Sequence, residues 1–327
     1  MNAWKKIEEK ESIEHIIEKS KEIIENTKDS DKPTKKIKKL MENYIPRDPL
    51  YVLADIILPE NVITQFNNMF SLIKYHDELY NEWGLSEIDK RGKRIAINLY
   101  GPPGTGKTMS AEAIAAYFDK KIIEVSYAEI ESKYVGETPK NITASFMKAK
   151  EVDAVLFFDE ADSILGKRMT NVTQAADHGV NVSRAVMLKQ LDQFDGIVIF
   201  ATNLAKNYDS AFVRRILYNV ELPIPDYSAL TKLWDKLIPD KVPGKKGLSF
   251  TELAKESEGL TGGDIKNAVV MSLSEAIQRD KKSKKVTFDD IKKSIAYINK
   301  AKKEVGGVEN NQKINIRTLK DLSKNND

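Results

Sequence analysis

"LYGPPGTGKTMS" (residues 99–110) packs three glycines, two prolines and a lysine into a dozen positions. Gly and Pro ordinarily mark a turn. Gly101, Gly106, Lys107 and Thr108 also meet every fixed position of G-x-x-x-x-G-K-[ST], the spacing of a loop that cradles phosphate. The flanks decide between the two. "RIAINLY" (94–100) reads as a buried strand entering the loop, and "TMSAEAIAAYF" (108–118) as a helix leaving it. Strand, glycine loop and helix N-terminus form the arrangement an anion site needs. Backbone N–H groups and the helix's positive end converge on the phosphates, and glycine lets the main chain come close. On this reading Pro103, Gly104, Thr105, Gly106, Lys107, Thr108 and Met109 line a nucleotide site. Lys107 reaches the β- and γ-phosphates and Thr108 holds Mg2+.

Outward from the loop, short apolar runs at 95–100, 121–126, 154–159, 197–202 and 219–222 alternate with helical patterns such as 106–118 and 141–151. That alternation predicts a parallel sheet covered by helices on both faces. After "PIPD" (223–226) helical segments at 229–237, 250–258, 263–279 and 289–303 read as a small helical domain, with a short strand near Val286. Upstream, an isoleucine stripe within 4–26 and a basic segment ending near Tyr44 form a helical extension. "YIPRDPL" (44–50) is an extended linker because each residue before a proline is pushed out of the helical region. A further helical pattern covers 59–83. The expected division is 1–45 helical extension, 46–226 large domain, 227–303 helical domain and 304–327 flexible tail. The isoleucine stripe suits packing on the chain's own core or a neighbour, or recruitment of a client.

Bulk composition narrows the class. The chain has no cysteine and three histidines, which removes disulfides, thiolate metal sites and cysteine nucleophiles. A net charge of +3 argues against nucleic acid as the main partner. No apolar run is long enough for a bilayer and no signal-peptide core is visible, so the expected setting is cytoplasmic and away from membranes. No peptidase motif is present, so any degradation would need a partner.

Two further strands end in polar residues. "DAVLFFDEADSIL" (153–165) delivers Asp159 and Glu160 to the carboxyl edge of the sheet, where ligands bind in open α/β folds. Asp159 suits Mg2+ coordination and Glu160 suits a general base for the attacking water. "GIVIFATN" ends at Asn203, placed to position that water or to touch the γ-phosphate, or else to start a turn.

Together "GPPGTGKT", "LFFDEAD" and "ATN" resemble the Walker A, Walker B and sensor 1 motifs of the AAA group of AAA+ ATPases, the protein-remodelling type with a single module. The resemblance covers about residues 50–300. It implies a P-loop α/β domain with a five-stranded parallel sheet followed by a helical lid. "LADIILPENV" stands where the family contacts adenine, implying Asp55 and Ile56, and "GLTGGDIKNAV" implies Gly262 and Gly263 at the lid helix start. "DSAFVRRILYNVELPIPD" resembles the arginine-finger segment. Arg215 aligns best and Arg214 next, the segment is shorter than usual, and Leu217 and Tyr218 stand where a second arginine is expected. Leu237 replaces a histidine often found near the nucleotide. "ESKYVGETPKN" resembles the first pore loop of AAA unfoldases, implying Tyr134, Val135 and Gly136, and "TQAADHGVNVS" with His178 is a second candidate pore element. The resemblance implies an Mg2+-dependent ATPase. Its homo-oligomer, a hexamer, would remodel, unfold or disassemble a protein or peptide client through a central pore. Two alternatives remain: a nucleic-acid-associated loader or initiator helper, and a nucleotide-gated scaffold.

Overall fold

The computed structural model describes residues 34–89, 95–126, 130, 137–166, 175–203, 208–280 and 284–305. The chain divides into two compact units at Pro223 and Ile224. The first is built on a five-stranded sheet, β1 (Ile95–Tyr100), β2 (Ile122–Ser126), β3 (Val155–Asp159), β4 (Ile197–Thr202) and β5 (Tyr218–Glu221), in the order β2-β3-β4-β1-β5. All four pairings are parallel. Helices α1 (Lys35–Met41), α2 (Glu60–Lys74), α3 (Lys107–Tyr117), α4 (Glu137–Glu151), α5 (Asp162–Leu165), α6 (Ala175–Gln193) and α7 (Ser210–Val213) complete this unit. A π-helical turn at Glu78–Glu82 ends the stretch that the sequence reads as one helix over 59–83.

The three inner strands β1, β3 and β4 are buried on both faces, which is why they read as continuous apolar runs. The edge strands β2 and β5 expose Glu124, Asn219 and Glu221. Alternation nevertheless sorts their side chains. Leu156, Phe158, Val198 and Phe200 enter one core with Phe146 and Met187, whereas Val155, Phe157, Ile197 and Ile199 enter the other with Ile114 and Phe70. Phe158 and Phe200 stack at 5.4 Å between adjacent strands. Register then sets the site: Tyr100 pairs with Thr202, Phe158 with Phe200 and Ser126 with Asp159. The residues following β1, β3 and β4 therefore meet at one edge. β1 and β4 are neighbours whose onward connections run to opposite sides, the switch point where open α/β sheets bind ligands.

The second unit holds α8 (Tyr227–Leu237), α9 (Phe250–Glu256), α10 (Gly262–Ile277) and α11 (Phe288–Val305) around Trp234, Leu253, Ile265 and Ile291. Among the described residues no strand forms near Val286, contrary to the sequence expectation. Val286 is buried in this core and its N–H donates to the Pro243 carbonyl, so its apolar character serves packing. α4 begins at Glu137, four residues before the pattern at 141, its first turn buried through Pro139. Among the described residues no helix is long and apolar enough to cross a membrane.

Candidate active site

The loop after β1 is shaped by glycine. Gly101, Gly104 and Gly106 all adopt positive φ, at 144°, 80° and 97°. At Gly101 a Cβ would stand 2.2 Å from the Leu222 carbonyl oxygen, so any side chain there would push β5's exit away. Gly106 is the left-handed cap of α3, and the helix's first N–H groups open into the loop.

Lys107 lies in the first turn of α3 and is buried. Its Nζ donates to the carbonyls of Gly101 (2.9 Å) and Pro102 (3.0 Å), folding the ammonium back over the loop that a phosphate would occupy. Burial pushes its pKa down, and the carboxylates of Asp159 and Asp162 oppose that shift. Thr105 Oγ1 closes the loop by donating to Pro102 O at 2.9 Å.

β3 brings Asp159 across to α3: Thr108 Oγ1 donates to Asp159 Oδ2 at 3.2 Å. Asp159 Oδ1 accepts the Glu160 N–H at 2.8 Å. Glu160 itself sits at φ 52°, a left-handed conformation that costs a non-glycine residue of order 1 kcal/mol or more. Its side chain is exposed. Asn203, directly after β4, is exposed as well, and its N–H is held by the Asp162 carboxylate at 3.2 Å. Ala161 N donates to Ala201 O at 2.9 Å, tying the turn after β3 to β4. Lys107, Thr108, Asp159, Glu160 and Asn203 thus share one edge of the sheet.

The donor set fits a nucleotide with Mg2+. A cation-bearing loop at a helix N-terminus suits phosphate, and the adjacent hydroxyl and carboxylate offer the hard oxygens that Mg2+ takes alongside water and phosphate. Among the described residues no cluster of three or more His, Cys, Asp or Glu could hold a metal by itself.

Asp55 and Ile56 lie in and after a 3-10 turn (Leu53–Asp55) that packs against α3, with Ile56 partly buried on the Phe70 core. The Asp55 carboxylate accepts the Val52 N–H at 3.0 Å, a cap within the turn. The preceding linker is stapled by Arg47, whose Nη2 reaches Glu112 of α3 at 2.8 Å and Glu124 of β2 at 2.7 Å. Glu112 also accepts the Leu50 N–H at 2.6 Å.

The two arginines of the segment have different surroundings. Arg215, placed first, is held within its own chain: Nε and Nη2 pair bidentately with Asp192 at the end of α6, at 2.9 and 2.8 Å, and Nη1 donates to Ala211 O. Arg214 caps α7, is exposed, and has no ion-pair partner among the described residues. In the second unit Gly262 and Gly263 open α10 behind a Thr261–Asp264 capping box. Tyr134, Val135 and Gly136 lie outside the described residues, as does the side chain of His178. Sequence reading did not single out Asp162, Asp192 or Tyr208. Only Asp162 carried a signal, as the last acidic residue of "DEAD".

The profile of the ATPase family associated with various cellular activities (AAA) matches residues 97–224, and that of the AAA+ lid domain matches 247–293. The 26S proteasome subunit RPT4 of Saccharomyces cerevisiae is 34% identical over 220 residues, which is 65% of this chain and 49% of the relative. The proteasome-activating nucleotidase of Saccharolobus solfataricus is 30% identical over 270 residues, 77% of this chain and 66% of the relative. The 26S proteasome regulatory subunit 8 homolog of S. cerevisiae is 31% identical over 214 residues, 62% of this chain and 50% of that protein. The chain therefore spans half to two-thirds of the length of these relatives.

Proposed function

This chain belongs to the AAA family of ATPases, and from that premise we propose that it hydrolyses ATP in a homo-oligomeric ring, a hexamer, to unfold or remodel a protein client. The observation that carries the ATPase reading is the meeting of Lys107, the Thr108–Asp159 pair and Glu160 at one sheet edge. ATP supplies the reactive phosphoanhydride, and Thr108 and Asp159 would hold Mg2+, which would offset the charge on the phosphates.

The protein's own groups do the rest. Lys107 exchanges its two loop carbonyls for phosphate oxygens. Glu160, fixed in direction by its left-handed backbone and the bond to Asp159, takes a proton from the attacking water at its carboxylate. Asn203 orients that water from the end of β4. Arg214, exposed at the end of α7, is the arginine available to a neighbouring subunit's nucleotide, while Arg215 anchors the segment to α6. Asp55 and Ile56 contact the adenine, and Gly262 and Gly263 are the lid's contribution.

The client reading is supported by the names of two relatives, a proteasome-activating nucleotidase and a proteasome subunit. On this reading Tyr134, Val135 and Gly136 grip an extended polypeptide through an aromatic face without reading its sequence. The test measures ATP binding and turnover with and without an unfolded protein. Glu160→Gln should bind ATP and lose turnover, Lys107→Ala should lose binding, and Tyr134→Ala should keep basal turnover and lose stimulation. Near-normal hydrolysis by Glu160→Gln would sink the assignment of the base. Absence of any stimulation in the unsubstituted protein would sink the polypeptide client.

A further inference from the structure

Asn98 is out of character with its strand. Its neighbours Ile97 and Leu99 are fully buried apolar residues, and Asn98 is just as buried at 0% exposure. Its Oδ1 has no hydrogen-bond partner among the described residues. An unpaired buried acceptor costs stability that an aliphatic side chain would not. What the amide gains is a set of ties. Its Nδ2 donates to Asn219 Oδ1 of β5 at 3.1 Å and to Tyr208 Oη at 3.4 Å. Tyr208 Oη lies 2.5 Å from Thr202 Oγ1. Tyr208 Oη accepts from Asn98 and shares a hydrogen bond with Thr202 in which either hydroxyl can be the donor, so the three groups form one connected set.

The positions joined are those that matter for catalysis. Asn98 lies in the strand that feeds the phosphate loop, and Thr202 immediately precedes Asn203. Tyr208 immediately precedes Asp209, whose side chain caps α7 and whose helix ends at Arg214. The backbone of this segment is anchored as well, by the Asp209 N–H donating to Leu165 O at 2.9 Å and a Gly166–Tyr208 bridge. The tyrosine hydroxyl is thus the side-chain link from the end of β4 to the root of the arginine segment.

We infer that Tyr208 is a positioning residue that sets the arginine segment against the end of β4, so that the placement of Asn203 and the presentation of Arg214 to the neighbouring subunit are coupled. The inference rests on the roles proposed above for Asn203 and Arg214. Tyr208 acts here through Asn98 and Thr202, to which its hydroxyl is bonded, and is a positioning residue rather than a catalytic one.

The experiment is a double-mutant cycle on steady-state ATP turnover of the assembled protein, with Tyr208→Phe, Arg214→Ala and the pair. Phe keeps the ring in the core and removes only the hydroxyl. The expected result is a fall in kcat of about tenfold for Tyr208→Phe with KM for ATP nearly unchanged, and no further fall when it is added to Arg214→Ala. Thr202→Val, which removes the other hydroxyl at similar volume, should reproduce the loss. Melting temperatures of the single variants should stay within a few degrees of the parent. An equal fall in both backgrounds would mean that Tyr208 acts structurally, and overturns the inference. Unchanged turnover in Tyr208→Phe, beside clear losses in Arg214→Ala and Asn203→Ala, overturns it while leaving the proposed function standing. Parent-like turnover in Arg214→Ala overturns the arginine's role and the inference with it.

Discussion

Glu160 is the residue where function and stability pull apart. Its φ of 52° gains glutamate nothing in stability, Asp159 Oδ1 holds its N–H, and on the proposed function this turn aims the carboxylate at the attacking water. Asparagine visits this region far more readily. Glu160→Asn is therefore expected to raise stability by about 0.5–1 kcal/mol while abolishing turnover. Glu160→Gln, expected to be equally inactive, keeps the strain and should unfold with the parent. Urea unfolding of the three proteins tests this, and equal midpoints for Asn and Gln would remove the strain argument. Gly101 is the complementary case: its glycine answers a carbonyl that comes from β5, more than 100 residues later in the chain.

At the scale of elements, the helical unit depends on caps. Thr287 and Asp290 form a reciprocal pair at the start of α11, and Asp290 also takes both terminal nitrogens of Arg279, beyond the end of α10. The Arg279 guanidinium, assisted by Thr287 and opposed by burial, holds the Asp290 carboxyl at about 2. A depressed carboxylate pKa contributes stability that is fully present above the unfolded value, near 3.8, and is lost as pH falls through the folded value. The linkage amounts to roughly 2 kcal/mol. Asp290→Ala should lower the urea midpoint of this unit near neutral pH, and the gap to the parent should narrow between about pH 4 and pH 2. Trp234, fully buried in this core, reports the transition once Trp4 and Trp83 are changed to Phe. A gap that is constant over that window would show that the pair contributes nothing through ionisation.

At the scale of the whole molecule, the first unit holds Lys107, Glu160 and Asn203 at one edge, while Arg214 is exposed and Arg215 is locked to Asp192. An arginine that serves a neighbour makes the active unit larger than one chain. Mixing Arg214→Ala chains with Lys107→Ala chains should restore part of the turnover that each lacks alone, because an intact Lys107 site then meets an intact Arg214 across mixed contacts. The check is ATP turnover across a range of mixing ratios, with co-assembly shown by size. No recovery in co-assembled mixtures would place the arginine's action within its own chain. Arg215→Ala should differ by lowering thermal stability, since it strips a part-buried Asp192 of its partner.

What the sequence determined by itself was whatever short-range chemistry specifies. The glycine spacing of 101–106 demanded a phosphate loop, and five apolar runs broken by helical patterns demanded a parallel sheet. Those signals are local: a positive φ and a buried strand each depend on residues a few positions apart. Tertiary structure decided the pairings that cross the chain. Thr108 meets Asp159 across 51 positions and Asn98 meets Tyr208 across 110, because the strand order sets β4 between β1 and β3 and the register aligns their ends. For the same reason the different surroundings of Arg214 and Arg215 were not legible in "FVRRIL". Two adjacent arginines have one local propensity, and only the end of α6, folded back beside them, places Asp192 where it captures one and leaves the other in solvent.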